Sequence, residues 1–326
     1  MAPNLRGALL ALVAFFLFSA HDVVVKYLGG SYAPVQIVFF SVLFSFPLAT
    51  LMAVGDRTDA NLRPAHPGWM AARMAAAVVT GLSAFYAFSN LPLAQVYAIL
   101  FATPLLITVL SIPVLGEVVR VRRWAAVIVG LCGVLIVLRP GAAPMELGHL
   151  AALTAATGSA VASLVARKIG RDERPVVMML FPLFGNIAVM GALLPFVYRP
   201  MPGIDLAAQA LMAGLAFVSS LLIILAYRAG EAVVVAPMQY SQIVWASIYG
   251  ALFFDERTDL WTAAGAAVII ASGIYILLRE SSGSAHRPNL ESRSRATIPA
   301  APRLPGIGGL PGRSRARPER DDVKRV

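Results

Sequence analysis

AFSNLPLAQVYAILFATPLLITVLSIPVLGE, residues 87–117, aligns without a gap on AYRAGEAVVVAPMQYSQIVWASIYGALFFDE, residues 226–256, at an offset of 139. Each copy reads as a helix end, a very short turn and a second apolar helix that stops at Gly116-Glu117 or Asp255-Glu256. The correspondence continues on both sides. Gly133 matches Gly273 at an offset of 140, and Lys26, Gly29 and Pro34 match Arg167, Gly170 and Pro175 at an offset of 141. The chain is therefore built from two similar halves, joined near Pro140–Glu146.

Apolar segments fill both halves, at approximately 7–28, 34–54, 69–89, 92–115, 122–139, 147–167, 175–197, 207–228, 231–254 and 260–278. Each is close to the roughly 20 residues that a helix needs to cross a bilayer core. Their apolar residues run all round the helix, as buried or lipid-facing spans require. Five helices per half is an odd number, so the second half enters the membrane from the opposite side. The expected fold is an all-α integral membrane protein with ten transmembrane helices as two inverted five-helix repeats, at 7–139 and 147–278, followed by a disordered basic cytoplasmic tail at 279–326. Inverted repeats build the midplane cavity of a secondary transporter, which rocking of the halves exposes to either face.

Composition agrees. Of 326 residues, 58% are hydrophobic and 13% charged, and the mean hydropathy is +0.74. A soluble chain carries about 25% charged residues. Half that share cannot coat a soluble surface, which argues against a soluble enzyme, a disordered protein and a nucleic-acid module. The net charge of +10 comes from 27 basic and 17 acidic residues, of which 11 and 5 fall in Arg279–Val326. The excess thus marks membrane topology rather than a nucleic-acid partner. With the N-terminus inside, 23 Lys and Arg lie on the inner side, against Lys26, Arg139, Arg199 and Arg257 outside. Both termini are expected to be cytoplasmic. The first span has no cleavage-site pattern and is expected to stay in the mature chain. Cys132 is the sole cysteine, so no intrachain disulfide or thiolate metal site forms.

The doubled pattern A-x-x-x-L-x-x-A-x-x-x…P…LGE…W…G-V resembles the EamA family of the drug/metabolite transporter superfamily over roughly residues 7–278. Pro104, Gly116, Glu117, Trp124, Gly130 and Gly133 carry it in the first half, and Pro237, Asp255, Glu256, Gly265 and Gly273 in the second. The resemblance implies a cell inner membrane transporter that uses no cofactor, with its cavity lined mainly by helices 1, 3, 4, 6, 8 and 9. Family members often open helix 1 with W-G-x-N-F-x-x-x-K. Here Lys26 is kept, but Phe18, His21 and Asp22 replace the Trp, Asn and Phe. The Asn-Leu-Arg-Gly opening and the polar-Asp pair look more like the riboflavin and S-adenosylmethionine uptake branches. Within these, HDVVVKYLG (21–29), QIVFFSVLFSFPLATLM (36–52) and QVYAILFATPLLITVLS (95–111) look most like the riboflavin transporters. The resemblance implies riboflavin uptake. S-adenosylmethionine uptake and export of amino acids or other metabolites are the alternatives on the same fold.

Polar residues inside the spans are the candidate site. An ionisable side chain there costs roughly 2.5–3.5 kcal/mol on insertion scales. Asp22 lies about 9 Å inside the outer end of helix 1, at 1.5 Å per residue. Lys26 follows at i+4, on the same face, a spacing that favours an ion pair. That pair would orient helix 1, or serve as a gate or coupling site. His21 is a candidate ligand contact. Helix 9 carries the densest polar-aromatic run: Gln239, Tyr240, Ser241, Gln242 and Trp245. Gln239 and Gln242, at i and i+3, are expected to share a face, where amides can read the donor–acceptor edge of a heterocycle. Tyr97, Phe101, Tyr86 and Phe85 add rings on which a planar isoalloxazine would stack. Interhelical packing alone would also account for such residues.

Pro104 and Pro237 each remove a helix hydrogen bond and permit a hinge in a cavity-lining helix. Gly130, Gly133, Gly265 and Gly273 allow close helix approach, within the chain or across a homodimer. No phosphate loop of the G-x-x-x-x-G-K-[ST] kind is present, so ATP does not drive the protein directly. Scattered histidines and the lack of H-E-x-x-H leave no metal site and no catalytic constellation. The expected partners are a small-molecule substrate and the lipid bilayer.

Overall fold

A computed structural model describes residues 3–54, 63–117, 119, 121–141, 145–170 and 172–284. The tail beyond residue 284 lies outside them. The helices are α1 (Pro3–Gly29), α2 (Pro34–Val54), α3 (Pro67–Asn90), α4 (Leu93–Leu100), α5 (Thr103–Leu115), α6 (Val121–Leu138), α7 (Leu147–Ile169), α8 (Pro175–Val197), α9 (Gly203–Ala229), α10 (Ala232–Val235), a 3-10 turn (Ala236–Tyr240), α11 (Ser241–Phe254) and α12 (Leu260–Ser284). Several begin at a proline, whose fixed φ and missing N–H suit the first helical turn. No strand occurs among the described residues. Six helical stretches are long and apolar enough to cross a membrane by length and composition: Asn4–Gly29, Pro67–Asn90, Leu93–Leu115, Leu147–Ile169, Val176–Val197 and Gly203–Ala229. Pro34–Pro47, Trp124–Leu138 and Leu260–Ile276 are shorter apolar helices. The outward face of α6 is apolar, with Ile128, Val129, Leu131 and Leu135 exposed.

Two expected spans are broken rods. Residues 93–115 divide at Phe101 and Ala102. Pro104 has no N–H to give the Leu100 carbonyl, and the Thr103 hydroxyl caps that oxygen instead at 2.7 Å. In the second half a 3-10 turn begun by Ala236-Pro237 precedes α11. The two breaks coincide in the repeat, since Phe101 and Tyr240 are 139 residues apart.

Contacts between the loops sort them into two sets. At one end Asn4 Oδ1 accepts from the Glu231 N–H at 3.0 Å, Glu173 Oε1 accepts from the His66 N–H at 2.7 Å, and Arg167 pairs with Glu117 at 2.7 Å. At the other, Tyr32 donates to Asp205 at 2.5 Å, Gln36 bonds the Arg199 backbone at 2.7 and 2.9 Å, and Arg139 pairs with Asp259. Successive rods therefore run antiparallel, counting α4–α5 and α10–α11 as one rod each.

The halves interdigitate rather than stand apart. The most extensive helix pairs, α1 with α9, α3 with α7 and α6 with α12, all join one half to the other. At the α6–α12 crossing a Cβ on Gly133 would lie 2.9 Å from the Gly265 carbonyl, and one on Gly265 2.6 Å from the Gly133 carbonyl. These glycines serve packing inside the chain. Gly273 faces the Tyr240 hydroxyl, 2.0 Å from where its Cβ would be.

Candidate functional site

The site is built where α1 meets α4 and α11. α1 is apolar along nearly its whole length, so the polar pair in its last third must find partners on its neighbours. His21 Nδ1 lies 2.7 Å from Asp22 Oδ1, closer than helical geometry for adjacent residues suggests. The Tyr97 phenol of α4 donates to Asp22 Oδ2. Gln242 of α11 donates to the Tyr97 hydroxyl at 3.3 Å. His21, Asp22, Tyr97 and Gln242 thus form one chain across three helices and both halves. Asp22 is 9% exposed and Tyr97 4%, so these bonds are made in a dry setting where they weigh more than in water.

Aromatic rings floor this chain. Tyr97 meets Phe101 at 6.0 Å between centroids and Phe88 at 5.4 Å, and Phe101 meets Tyr240 edge-on at 5.1 Å. Phe85 packs edge-on against His21 at 6.1 Å. Trp245 lies on an adjoining face of α11, edge-on to Phe16 of α1 at 5.2 Å. The contact of Phe101 with Tyr240 links the two helix breaks, so both interrupted rods converge here. Interrupted helices are where transporters of inverted-repeat type hold their cargo, because freed backbone and side-chain polar groups meet at mid-depth.

Two buried polar atoms at this junction, Ser241 Oγ and Trp245 Nε1, make no hydrogen bond, and a third, Ser19 Oγ, has only the Tyr97 hydroxyl beside it. Ser19 is 1% exposed and stands beside the Tyr97 phenol. Leaving a buried hydroxyl or indole N–H unmatched costs about 1–3 kcal/mol. Ser19 and Ser241 escape sequence reasoning, because a serine in a span is ordinary. Ser19 does lie one turn before Asp22, on the same side of the helix.

Other expectations fare differently. Lys26 does not pair with Asp22. Its ammonium reaches Glu256 at 2.6 Å and donates to the Leu91 carbonyl at 2.5 Å. The reason is reach and competition: the long stem carries the charge to the end of α1, while His21 and Tyr97 occupy both oxygens of Asp22. Gln239 is exposed in the 3-10 turn and stays outside the hydrogen-bonded chain. The helix type changes between it and Gln242, so α-helical i, i+3 spacing does not hold there. Tyr86 is half-buried on α3, outside the ring contacts of the cluster.

Beyond the Lys26–Glu256 pair lies a polar cavity of about 250 Å³ lined by Pro92, Gln95, Arg139, Ser247, Glu256 and Asp259. Around this end, the hydrogen bond to Asp205 pushes the Tyr32 phenol up to about 12, so it stays a neutral donor. Burial raises Asp259, but hydrogen bonds from Thr262 and the Arg139 charge outweigh it and hold the carboxylate below its ordinary value. No cluster of metal-ligating side chains occurs among the described residues.

Comparison with known proteins adds context to this geometry. The sequence profile of the EamA-like transporter family matches residues 5–139 and again residues 146–279. The chain is 28% identical over 287 residues to a riboflavin transporter of Rhizobium johnstonii, covering 84% of this chain and 91% of the relative. It is 25% identical over 265 residues to an S-adenosylmethionine uptake transporter of Rickettsia bellii, covering 80% of this chain and 90% of the relative. One solved crystal structure superimposes with a TM-score of 0.58 at 19% identity, covering 85% of this chain and 98% of the other, which supports the fold alone.

Proposed function

The chain belongs to the EamA-like transporter family, and from that premise we propose that it imports riboflavin by alternating access of two inverted five-helix repeats. It is a multi-pass membrane transporter and not an enzyme. The double profile match supports two repeats. Alternation of the loops between two ends supports ten crossings. The Lys and Arg distribution supports cytoplasmic termini in an inner membrane, with the Lys26–Glu256 end outside.

One observation carries the cargo assignment: the unmatched polar atoms of Ser241 and Trp245 stand among the rings of Phe16, Phe101 and Tyr240. A flat, neutral heterocycle with an acceptor-rich edge satisfies both features. Its face stacks on the rings and its edge receives the spare donors. Gln242 sits next to it with a second amide N–H to give, while the Tyr97 hydroxyl, whose one proton goes to Asp22, stands as an acceptor. A second reading, S-adenosylmethionine uptake, has one observation in its favour: the Asp22 carboxylate, which a sulfonium cation would approach. Against it, both Asp22 oxygens are already engaged within the protein.

The test is uptake of labelled riboflavin into a riboflavin auxotroph that expresses the chain, at limiting external vitamin. Saturable uptake above the empty vector is expected. Asp22→Asn should lower it by about tenfold, the order of one lost charge-assisted hydrogen bond. An inserted protein that carries no riboflavin ends this assignment. Uptake of labelled S-adenosylmethionine that Asp22→Asn abolishes would establish the second reading.

A further inference from the structure

The repeat makes a prediction about ion pairs that the structure meets. Lys26 and Arg167 are 141 residues apart and Glu117 and Glu256 are 139 apart, so they are repeat counterparts. In the folded chain each acid pairs with the base of the opposite half: Glu256 with Lys26 at 2.6 Å, and Glu117 with Arg167 at 2.7 Å. The two acids are aimed by the same device. The residue before each is left-handed, Gly116 at φ 71° and Asp255 at φ 55°. The N–H of each Glu then returns to the carbonyl of counterpart residues, Ser111 at 3.5 Å and Gly250 at 3.0 Å. These counterpart pairs lie at opposite ends of the bundle, Lys26–Glu256 at the end that also holds Arg139–Asp259, and each ties an interrupted rod of one half to the first helix of the other.

The pairs are not equal. The side chains of Lys26 and Glu256 are 13% and 16% exposed. Around them Lys26 also holds the Leu91 carbonyl, Glu256 Oε2 accepts from the Leu93 N–H at 3.0 Å, and the Phe254 ring lies 5.4 Å below the ammonium. The side chains of Arg167 and Glu117 are 56% and 29% exposed. Water screens an exposed pair down to little net attraction, whereas breaking a buried, further-bonded pair strands a charge.

We propose that these two inter-half ion pairs are opposed latches of unequal strength, and that Lys26–Glu256 holds the resting transporter closed at its outer end. The inference rests on the alternating-access reading above. Moving to the outward-open state breaks the Lys26–Glu256 pair and leaves Arg167–Glu117 closed, and the inward-open state reverses this. Cargo selection takes place deeper, at Asp22 and Gln242, so the latch governs access and not recognition.

The test uses a cysteine reporter beneath the outer latch. Ser19 is seven residues deeper than Lys26, about 10 Å along α1, and 1% exposed. The full chain with Ser19→Cys, and with the native Cys132 replaced by serine, is labelled in intact cells by a membrane-impermeant maleimide. Glu256→Gln should raise the labelling rate at least threefold, and Glu117→Gln should lower it. The swap of Lys26→Glu with Glu256→Lys should return the rate towards the parent, provided detergent-extracted protein stays monodisperse. Lack of change with Glu256→Gln, or a change in the same direction for both acids, overturns the proposal. A swap variant that folds yet labels as fast as Glu256→Gln also overturns it. Labelling needs no substrate, so failure of the riboflavin assignment shows up separately, as absent uptake by an inserted chain.

Discussion

The break between α4 and α5 at Phe101–Ala102 and the break before α11 at Tyr240–Ser241 fall at counterpart positions, yet their side chains differ. Across the first break run Leu100, Phe101, Ala102, Thr103 and, a turn on, Leu106. Across the second run Gln239, Tyr240, Ser241, Gln242 and Trp245. Even the prolines differ in place, Pro104 after the first break and Pro237 before the second. The interruption of the rod is thus a property of the repeat, kept while its sequence means changed. The polar chemistry differs between the copies. The first supplies Tyr97, whose counterpart is Ala236, bonded to Asp22 of its own half, and the second supplies Gln242, which donates to the Tyr97 hydroxyl. Two like backbones with complementary side chains make a site that neither half has alone.

The largest expected effect breaks this asymmetry directly. Gln242→Ala should lower riboflavin uptake by about tenfold or more, since the buried Tyr97 hydroxyl keeps Asp22 but loses the bond from Gln242, and the proposed cargo loses an amide. Its counterpart change, Thr103→Ala, removes a hydroxyl that bonds backbone carbonyls alone, Leu100 at 2.7 Å and Ala156 at 3.4 Å, and should alter uptake by less than about twofold by the same scale. Initial uptake rates, normalised to inserted protein, decide it. Equal losses for the two would show that the second copy has no special role.

A smaller effect concerns the rings. Tyr240 carries a hydroxyl that Phe101 lacks, and Gly273 makes room for it. Gly273→Ala puts a Cβ where that hydroxyl stands and should destabilise the protein by about 1–3 kcal/mol, the usual range for overpacking. Adding Tyr240→Phe should restore much of the loss, because the overlapping atom is gone. Thermal midpoints of the purified protein in one detergent would show it. A double variant as weak as Gly273→Ala alone would mean that the ring contact of Tyr240 with Phe101, and not the hydroxyl, fixes the spacing.

How far the sequence shows these features follows from the range of each interaction. The repeat, the rods and the kink-permitting prolines are local or periodic, so they are legible along the chain. Asp22, Tyr97 and Gln242 stand out because polar groups in apolar spans are costly. The partner of Lys26 does not stand out. Asp22 is a near neighbour at i+4, and the actual partner, Glu256, comes close only when α11 packs on α1. Gln239 and Gln242 look equivalent in a helix of one type, and a short 3-10 turn separates them. Ser241 gains meaning only from the rings that surround it without bonding it, and Ser19 only from the Tyr97 phenol that the fold brings beside it.

The smallest expected effect tests the two copies at their far ends. Gly116 and Asp255 both adopt the left-handed conformation that turns the chain so that the next residue, a glutamate, reaches the opposite half. Glycine takes that conformation without strain, whereas other L-residues pay roughly 1–2 kcal/mol. Nothing lies within 4 Å of a Cβ built on Gly116, so Gly116→Ala carries the conformational cost and no clash. It should lower stability by about 1 kcal/mol. Asp255→Gly relieves the same strain and should raise stability by a few tenths to about 1 kcal/mol, offset in part by the greater freedom of glycine in the unfolded chain. Opposite shifts of the thermal midpoint for the two changes are the expected outcome. Shifts of the same sign would mean that the Asp255 side chain contributes more to that turn than its backbone strain removes, and that the two caps, alike in dihedral angle, are held by different forces.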